Sequence, residues 1–299
     1  MSNDIFLIGI DGGGTGTRAV LADIQGHELA RGVGGPSGLA LGVDAAWRSI
    51  EAACADAHAR AGATFDWRRC ILGCGLAGVN HHDWLNAFRA SAPPVAALAV
   101  ESDAYTTVLG AHGGAPGVIV ALGTGSIAAA LDAAGVCRIA GGYGFPCGDE
   151  ASGAWLGLRA LSYAQQALDG RAPLDAFAQA LIAHTGATDR DALVVWSCNA
   201  NQTEYARVAP VVFAHRDHPV AAALIELAGI EIGKMIDALD SDAVLPVALC
   251  GGLANAFAGV VPESHRARLV APLADSTHGA LRLAARQAQR FGITAAGKK

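Results

Sequence analysis

Apolar positions along this chain fall into short unbroken runs and longer stretches at helical spacing, the mark of a mixed α/β architecture. The run IFLIGI has strand length and ends in Asp11-Gly12-Gly13-Gly14-Thr15, after which Thr17-Arg18-Ala19-Val20-Leu21-Ala22 continues as a second strand. Further strands are predicted over Arg69 to Ala77, over Val95 to Glu101 after Pro93-Pro94, and over Leu245 to Gly251. A helix is predicted over Leu39 to Ala61, where Leu41, Ala45, Ile50, Ala53 and Cys54 recur at helical spacing. Others are predicted over Ala151 to Asp169, Leu174 to Thr185 and Ala221 to Leu239, and a last helix, His278 to Phe291, closes the chain.

The pattern repeats. A shift of about 109 positions lays Gly14-Thr15-Gly16 on Gly123-Thr124-Gly125, Ala19 on Ala128, Asp23 on Asp132 and Gly26 on Gly135 without a gap. Both copies follow one plan: apolar strand, glycine-rich turn, apolar strand, then a D-x-x-G connection whose Asp bonds the turn backbone and whose Gly is available for a positive φ. The repeat predicts two lobes, 1–113 and 114–279, with the boundary near Gly113-Gly114 and a closing helix at 280–295 that packs back on the first lobe. Two lobes would leave a cleft between them.

The strand that follows the first glycine-rich turn excludes two commoner phosphate loops, each of which leads directly into a helix. A Walker A loop also needs Gly-Lys-Ser/Thr, and no lysine stands there. A dinucleotide fingerprint needs G-x-G-x-x-G opening a helix, whereas here the glycines join two strands.

Composition narrows the function classes. The 299 residues suffice for a sizeable core, and 52% are hydrophobic, yet Gly, Ala and charged residues interrupt every apolar run short of a membrane span. A formal charge of -6 with no basic stripe speaks against nucleic-acid binding. Small molecules are the expected partners, no membrane association is expected, and a homodimer is left open. The start, MSNDIFLIGIDGGG, lacks the basic n-region and small-residue cleavage site of a secretory signal, so a cytoplasmic location is expected. The seven cysteines form no C-x-x-C pair and read as small apolar residues, with Cys70 and Cys74 on one face of a strand. His81-His82, followed by Asp83, is expected in a solvated loop rather than in a ligand set.

Five segments carry candidate chemistry, each with a plainer alternative. In Asp11-Gly12-Gly13-Gly14-Thr15 the glycines let backbone N–H groups converge on a phosphate, the threonine hydroxyl adds a donor, and Asp11 could hold magnesium directly or through water. The alternative is a tight hairpin whose glycines serve only the turn, but the second copy, Gly123-Thr124-Gly125-Ser126, suits a triphosphate held by two loops. Asp103 lies between a strand and a helical run: it caps the helix, or accepts a hydroxyl proton during phosphoryl transfer, and one residue can do both. The stretch from Gly141 to Gly153, containing Gly142, Tyr143, Asp149 and Glu150, has the glycines, aromatics and acids of a polyol pocket, or only acids at a helix start. Gly251-Gly252-Leu253 is a strand-to-helix turn that could lie flat against adenine.

Taken in order, IDGGGT, the ESDAY acid, LGTGS, GGYGFPCGDEASG and CGGLA resemble the phosphate 1, catalytic, phosphate 2, sugar and adenosine segments of the N-acetylglucosamine and glucosamine kinases in the BadF/BadG/BcrA/BcrD family. The resemblance covers nearly the whole chain. It implies an α/β fold of two ribonuclease-H-like, actin-like ATPase lobes with a central cleft, ATP and magnesium as cofactors, and phosphorylation of an amino sugar at its 6-hydroxyl. It further implies Asp103 as the base, Gly12 to Thr15 and Gly123 to Ser126 as phosphate loops, Asp11 as a magnesium-side carboxylate, and Gly251, Gly252 and Leu253 at the adenine. Asp103, Thr124, Gly142, Tyr143, Asp149 and Glu150 would meet the sugar. Where relatives carry an asparagine for a sugar hydroxyl, this chain has Gly38, so that contact is lost or passes to Ser37. Two rivals remain: an activator ATPase of the same family, whose iron–sulfur cluster would need suitably placed cysteines such as Cys137 and Cys147, and a sugar sensor without catalysis.

Overall fold

The first apolar runs become β1 (Phe6–Gly12) and β2 (Thr17–Ala22), paired antiparallel with Asp11 opposite Arg18 and Gly12 opposite Thr17. In the next turn Asp23 Oδ1 accepts the N–H groups of Gln25 and His27 at 2.9 Å each, and Gly26 takes φ 88°, which leads into β3 (Glu28–Gly34). β4 (Cys70–Leu76) and β5 (Ala97–Ser102) add in parallel beyond β1, for the order β3-β2-β1-β4-β5. This is the ribonuclease-H-like order that the resemblance implies. The helices here are α1 (Val43–Arg60), α2 (His82–Ala90) and α3 (Asp103–Ala111).

This computed structural model describes residues 5–293. Its contacts divide the chain into two units: one runs to Pro116, includes Leu131–Cys137 and resumes at Pro272, and the other comprises Gly117–Ala130 and Arg138–Ala271. The second sheet holds β6 (Gly117–Leu122), β7 (Ser126–Leu131), β8 (Cys137–Gly141) and β9 (Val247–Cys250) in the order β8-β7-β6-β9. The repeat is exact in its turn chemistry: Asp132 Oδ1 accepts the N–H groups of Ala134 and Val136 at 2.9 Å each, and Gly135 takes φ 80°. A parallel bridge from Val247 to Leu269 stands where β5 pairs in the first sheet. Around it lie α4 (Gly153–Leu168), α5 (Ala176–Thr185), α6 (Arg190–Asn199), α7 (Gln202–Ala206), α8 (Ala209–Ala214), α9 (Pro219–Leu239), α10 (Ala254–Phe257) and α11 (Glu263–Arg266). The chain closes on α12 (Ser276–Arg290) in the first unit; the expected residues 294 and 295 of this helix lie outside the described ones.

Both faces of the first sheet are covered, which is why its strands read as unbroken apolar runs. Alternate residues divide between the faces. Ile8, Ile10, Ala19, Leu21, Cys70, Leu72 and Cys74 pack with Ala46, Trp47, Ile50, Ala53, Cys54 and Ala57 of α1, while Leu7, Val20 and Ile71 pack with Leu281, Ala284 and Ala288 of α12. Cys70 and Cys74 thus share a face as expected, and burial pushes the Cys70 thiol up to about 12. Glycines let α12 approach the sheet: a Cβ on Gly9 would stand 2.1 Å from the Thr277 carbonyl oxygen, and one on Gly73 2.0 Å from that of Ala280.

Two expectations change. Leu39–Leu41 forms a single 3-10 turn and Gly42, at φ 103°, breaks the backbone, so α1 starts at Val43 rather than Leu39. The His81-His82-Asp83 stretch is no loop: α2 starts at His82, and His81, at the N-cap position without a side-chain capping bond, stacks on Trp84 at 4.3 Å. No helix among the described residues is long and apolar enough to cross a membrane.

Candidate active site

The first glycine loop is held from below. The Gly13 N–H donates to the Gly16 carbonyl at 3.1 Å, and the N–H groups of Ser37 and Gly38 both donate to the Gly13 carbonyl at 3.0 Å. The Thr17 hydroxyl lies 2.6 Å from the Gly35 carbonyl oxygen and 2.7 Å from the Ser37 hydroxyl. With the Thr17 proton on Gly35, Ser37 donates back to Thr17. Ser37 has 0% of its surface exposed, and a Cβ on Gly12 would lie 2.0 Å from its Oγ. Ser37 and the buried Gly38, expected to meet the sugar, are therefore struts under the loop, and no hydroxyl of Ser37 is open to a ligand.

A cavity of about 380 Å³ joins this loop to Asp103; Asp11, Gly12, Gly13, Thr15 and Arg18 line it as well. β5 and α3 place Asp103, which stands at the first position of the helix. The cap is the preceding residue: the Ser102 hydroxyl accepts the Tyr105 N–H at 3.1 Å. Capping therefore falls to Ser102 and leaves the Asp103 carboxylate to other work. Its Oδ1 accepts the Ala104 N–H at 2.8 Å, and among the described residues no side chain donates to it. Burial raises the Asp103 pKa, the Ala104 N–H opposes this, and the nearby charge of Asp11 raises it further. Asp11 pairs with Arg18, whose Nη2 and Nε lie 2.5 Å and 3.1 Å from the same oxygen, Oδ2.

The second loop repeats the geometry with different bracing. The Gly123 N–H donates to the Gly125 carbonyl at 2.9 Å, and the first residues of α4 hold the loop, Gly153 N–H to the Gly123 carbonyl at 2.8 Å and Ala154 N–H to that of Thr124 at 3.3 Å. The Ser126 hydroxyl donates to the Glu150 carbonyl at 2.6 Å, so it ties the loop to the next segment rather than standing free for phosphate. The Leu253 N–H donates to the Leu122 carbonyl at 3.1 Å, which sets the Gly251-Gly252-Leu253 turn directly beside the residue that precedes Gly123.

Asp149 is 5% exposed and takes φ 60°, unusual for a residue with a side chain. Its Oδ1 accepts the Gly144 N–H at 3.2 Å and its Oδ2 the amide of Gln202 at 2.6 Å. Burial raises its pKa against the bonds from Gly144, Ser126 and Gln202, with the Glu150 charge adding to the rise. Gln202 is a residue that sequence reasoning missed. The capping box of Asn201 and Glu204 marks the start of α7, but nothing in the sequence ties its second residue to Asp149. Tyr143, expected as an aromatic face, is 90% exposed, while Phe145 packs on Tyr205 at 5.2 Å.

Glycines with nothing to do in the fold are informative. Among the described residues, Gly13, Gly14, Gly123, Gly252 and Gly259 have no positive φ, and a Cβ on any of them would meet no protein atom within 4 Å. The first four lie in the segments that resemble phosphate and adenosine segments. Neither turn geometry nor packing requires a glycine at these four positions. Gly12, Gly125 and Gly251 are different: a Cβ on Gly125 would stand 2.6 Å from Asp149 Oδ2, and one on Gly251 2.4 Å from the Leu122 carbonyl oxygen.

Among the described residues, no group of three or more His, Cys, Asp or Glu side chains is placed to hold a metal ion. Cys147 is exposed and Cys137 half-buried, and neither joins such a group.

A glucosamine kinase of Vibrio cholerae is 32% identical over 282 residues, covering 93% of this chain and 95% of that one. An N-acetyl-D-glucosamine kinase of Dictyostelium discoideum is 27% identical over 280 residues, covering 84% of this chain and 86% of that one. The crystal structure of a candidate N-acetylglucosamine kinase from Chromobacterium violaceum superposes with a TM-score of 0.90 at 45% identity, covering 95% of this chain and 100% of that one. A family model matches residues 8–278, from within β1 to within α12: the chain belongs to the BadF/BadG/BcrA/BcrD ATPase family.

Proposed function

We propose that the chain is an ATP-dependent kinase that phosphorylates the 6-hydroxyl of an amino sugar, D-glucosamine or N-acetyl-D-glucosamine. The observation that carries this reading is the cavity shared by Asp103 and Gly13, a carboxylate beside a glycine that the chain's own packing does not need. The kinase relatives from Vibrio cholerae and Dictyostelium discoideum support the acceptor class.

In this mechanism Asp103 accepts the proton of the sugar hydroxyl as that oxygen attacks the terminal phosphorus. Its raised pKa makes it a stronger base than an ordinary aspartate. The Gly14 N–H, which has no side chain beside it, donates to a phosphate oxygen; in the second unit the turn at Gly252 offers flat backbone to an adenine. Asp149 accepts hydrogen bonds from sugar hydroxyls, and Gln202 and Gly144 keep its carboxylate in one orientation. Asp11 fits a magnesium-side role, since its Oδ1 accepts no hydrogen bond from the described residues and the residue lines the cavity; the ion, bound mostly by phosphate and water, would neutralise phosphate charge.

Release of ADP from ATP and magnesium, measured with glucosamine, N-acetylglucosamine, glucose or no sugar, tests the reading. The expected result is ADP that depends on one of the amino sugars. ADP released equally without sugar would mean an ATPase, and none with any sugar a protein without this activity.

A further inference from the structure

The cavity that holds Asp103 and Asp11 has two carboxylates and one cation, Arg18, among the described residues that line it. A nucleoside triphosphate adds several negative charges, and the loop has no lysine of the Walker kind to meet them. Arg18 is well placed to do so. It stands directly opposite Asp11 in the hairpin register, and both of its bonded nitrogens go to one carboxylate oxygen. Among the described residues its one other hydrogen-bond partner is the Ser276 hydroxyl, 3.4 Å from Nη2. The side chain is 60% exposed, which leaves the guanidinium open to solvent on one side. A divalent cation on Asp11 would compete for the carboxylate and repel Arg18 as a like charge.

We propose that Arg18 changes partner when nucleotide binds: it neutralises Asp11 beforehand and passes to the terminal phosphates once a divalent cation takes the carboxylate. The inference rests on the kinase reading and deepens it, because it names the side chain that supplies positive charge to the nucleotide. The planar fork of a guanidinium suits two phosphate oxygens at once, and the long stem lets it swing without moving β2. The pairing also explains how two neighbouring acids, Asp11 and Asp103, are tolerated before any cation arrives.

The rival account is a fixed brace, with Arg18 acting only through Asp11. A double-mutant cycle separates the two. The affinity of a non-hydrolysable ATP analogue with magnesium is measured by calorimetry, without sugar, for the wild type, Arg18→Gln, Asp11→Asn and the double variant, with unfolding midpoints confirming that each is folded. Partner exchange predicts that Arg18→Gln weakens the analogue about tenfold or more in both backgrounds, with a smaller loss for ADP, and that Arg18→Lys recovers part of it. No further loss in the Asp11→Asn background would overturn the exchange alone. A wild type that binds no analogue would overturn the kinase reading as well.

Discussion

Asp103 occupies a position where charge is costly and useful at once. Burial raises its pKa in the folded chain, so the folded state binds its proton more tightly than the unfolded state does. Its ionised form therefore lowers stability at neutral pH, and that cost is relieved as pH falls through the raised folded value. Asp103→Asn is expected to lose about 10²- to 10⁴-fold in turnover while unfolding at the same or a higher temperature at pH 7, and the gap in unfolding temperature should narrow in acid. A variant that kept near-normal turnover while folded would remove Asp103 as the base. The glycines make a second contrast at this scale. Gly13→Ala should leave stability within about 0.5 kcal/mol, since a Cβ there meets nothing, yet weaken nucleotide binding; Gly12→Ala should cost about 1–3 kcal/mol through its clash with Ser37. Denaturant titration and analogue calorimetry on the two variants check both statements.

Among the elements, α12 shows how the end of the chain supports the site at its beginning. Asp275 caps it, accepting the His278 N–H at 3.1 Å and the Thr277 hydroxyl at 2.6 Å, while Arg31 of β3 donates to its other oxygen at 2.9 Å. Burial pushes the Asp275 carboxyl up, but the bonds from Thr277, His278 and Arg31 outweigh it and hold the group well below the usual carboxylate range. A depressed pKa adds stability that is present above the unfolded value and lost as pH falls towards the folded one. Asp275→Ala is expected to cost about 1–2 kcal/mol at neutral pH, and much less in acid, where the wild type has begun to lose the same contribution. Equal losses at pH 7 and in acid, read by urea unfolding, would contradict this. The helix itself was legible in the sequence, although the expected one began at His278, two residues late, and its Asp275 cap was missed. The short helices α6, α7 and α8 were not legible, because they follow one another with few residues between and no single one holds a long apolar period. Gln202 was lost with them, since its pairing with Asp149 is made by tertiary packing.

For the molecule as a whole, the repeat was the most legible feature, because each copy is a local object: two strands, a glycine turn, and an Asp turn whose bonds stay within four residues. The two sheet orders follow from it once parallel strands are added beyond β1 and β6. What periodicity did not carry was which glycines serve the fold and which stand clear of it, a distinction that depends on Ser37, Leu122 and Asp149 arriving from elsewhere in the chain. The acceptor is likewise a property of the assembled site, and phosphorylation of the primary hydroxyl of an amino sugar is the claim on which the account turns. Proton-coupled ³¹P spectra of a reaction with ATP, magnesium and glucosamine or N-acetylglucosamine test it most directly. The account predicts a new phosphomonoester signal split into a triplet by the two protons on carbon 6. A doublet, from a secondary or anomeric position, or inorganic phosphate as the sole product, would contradict it.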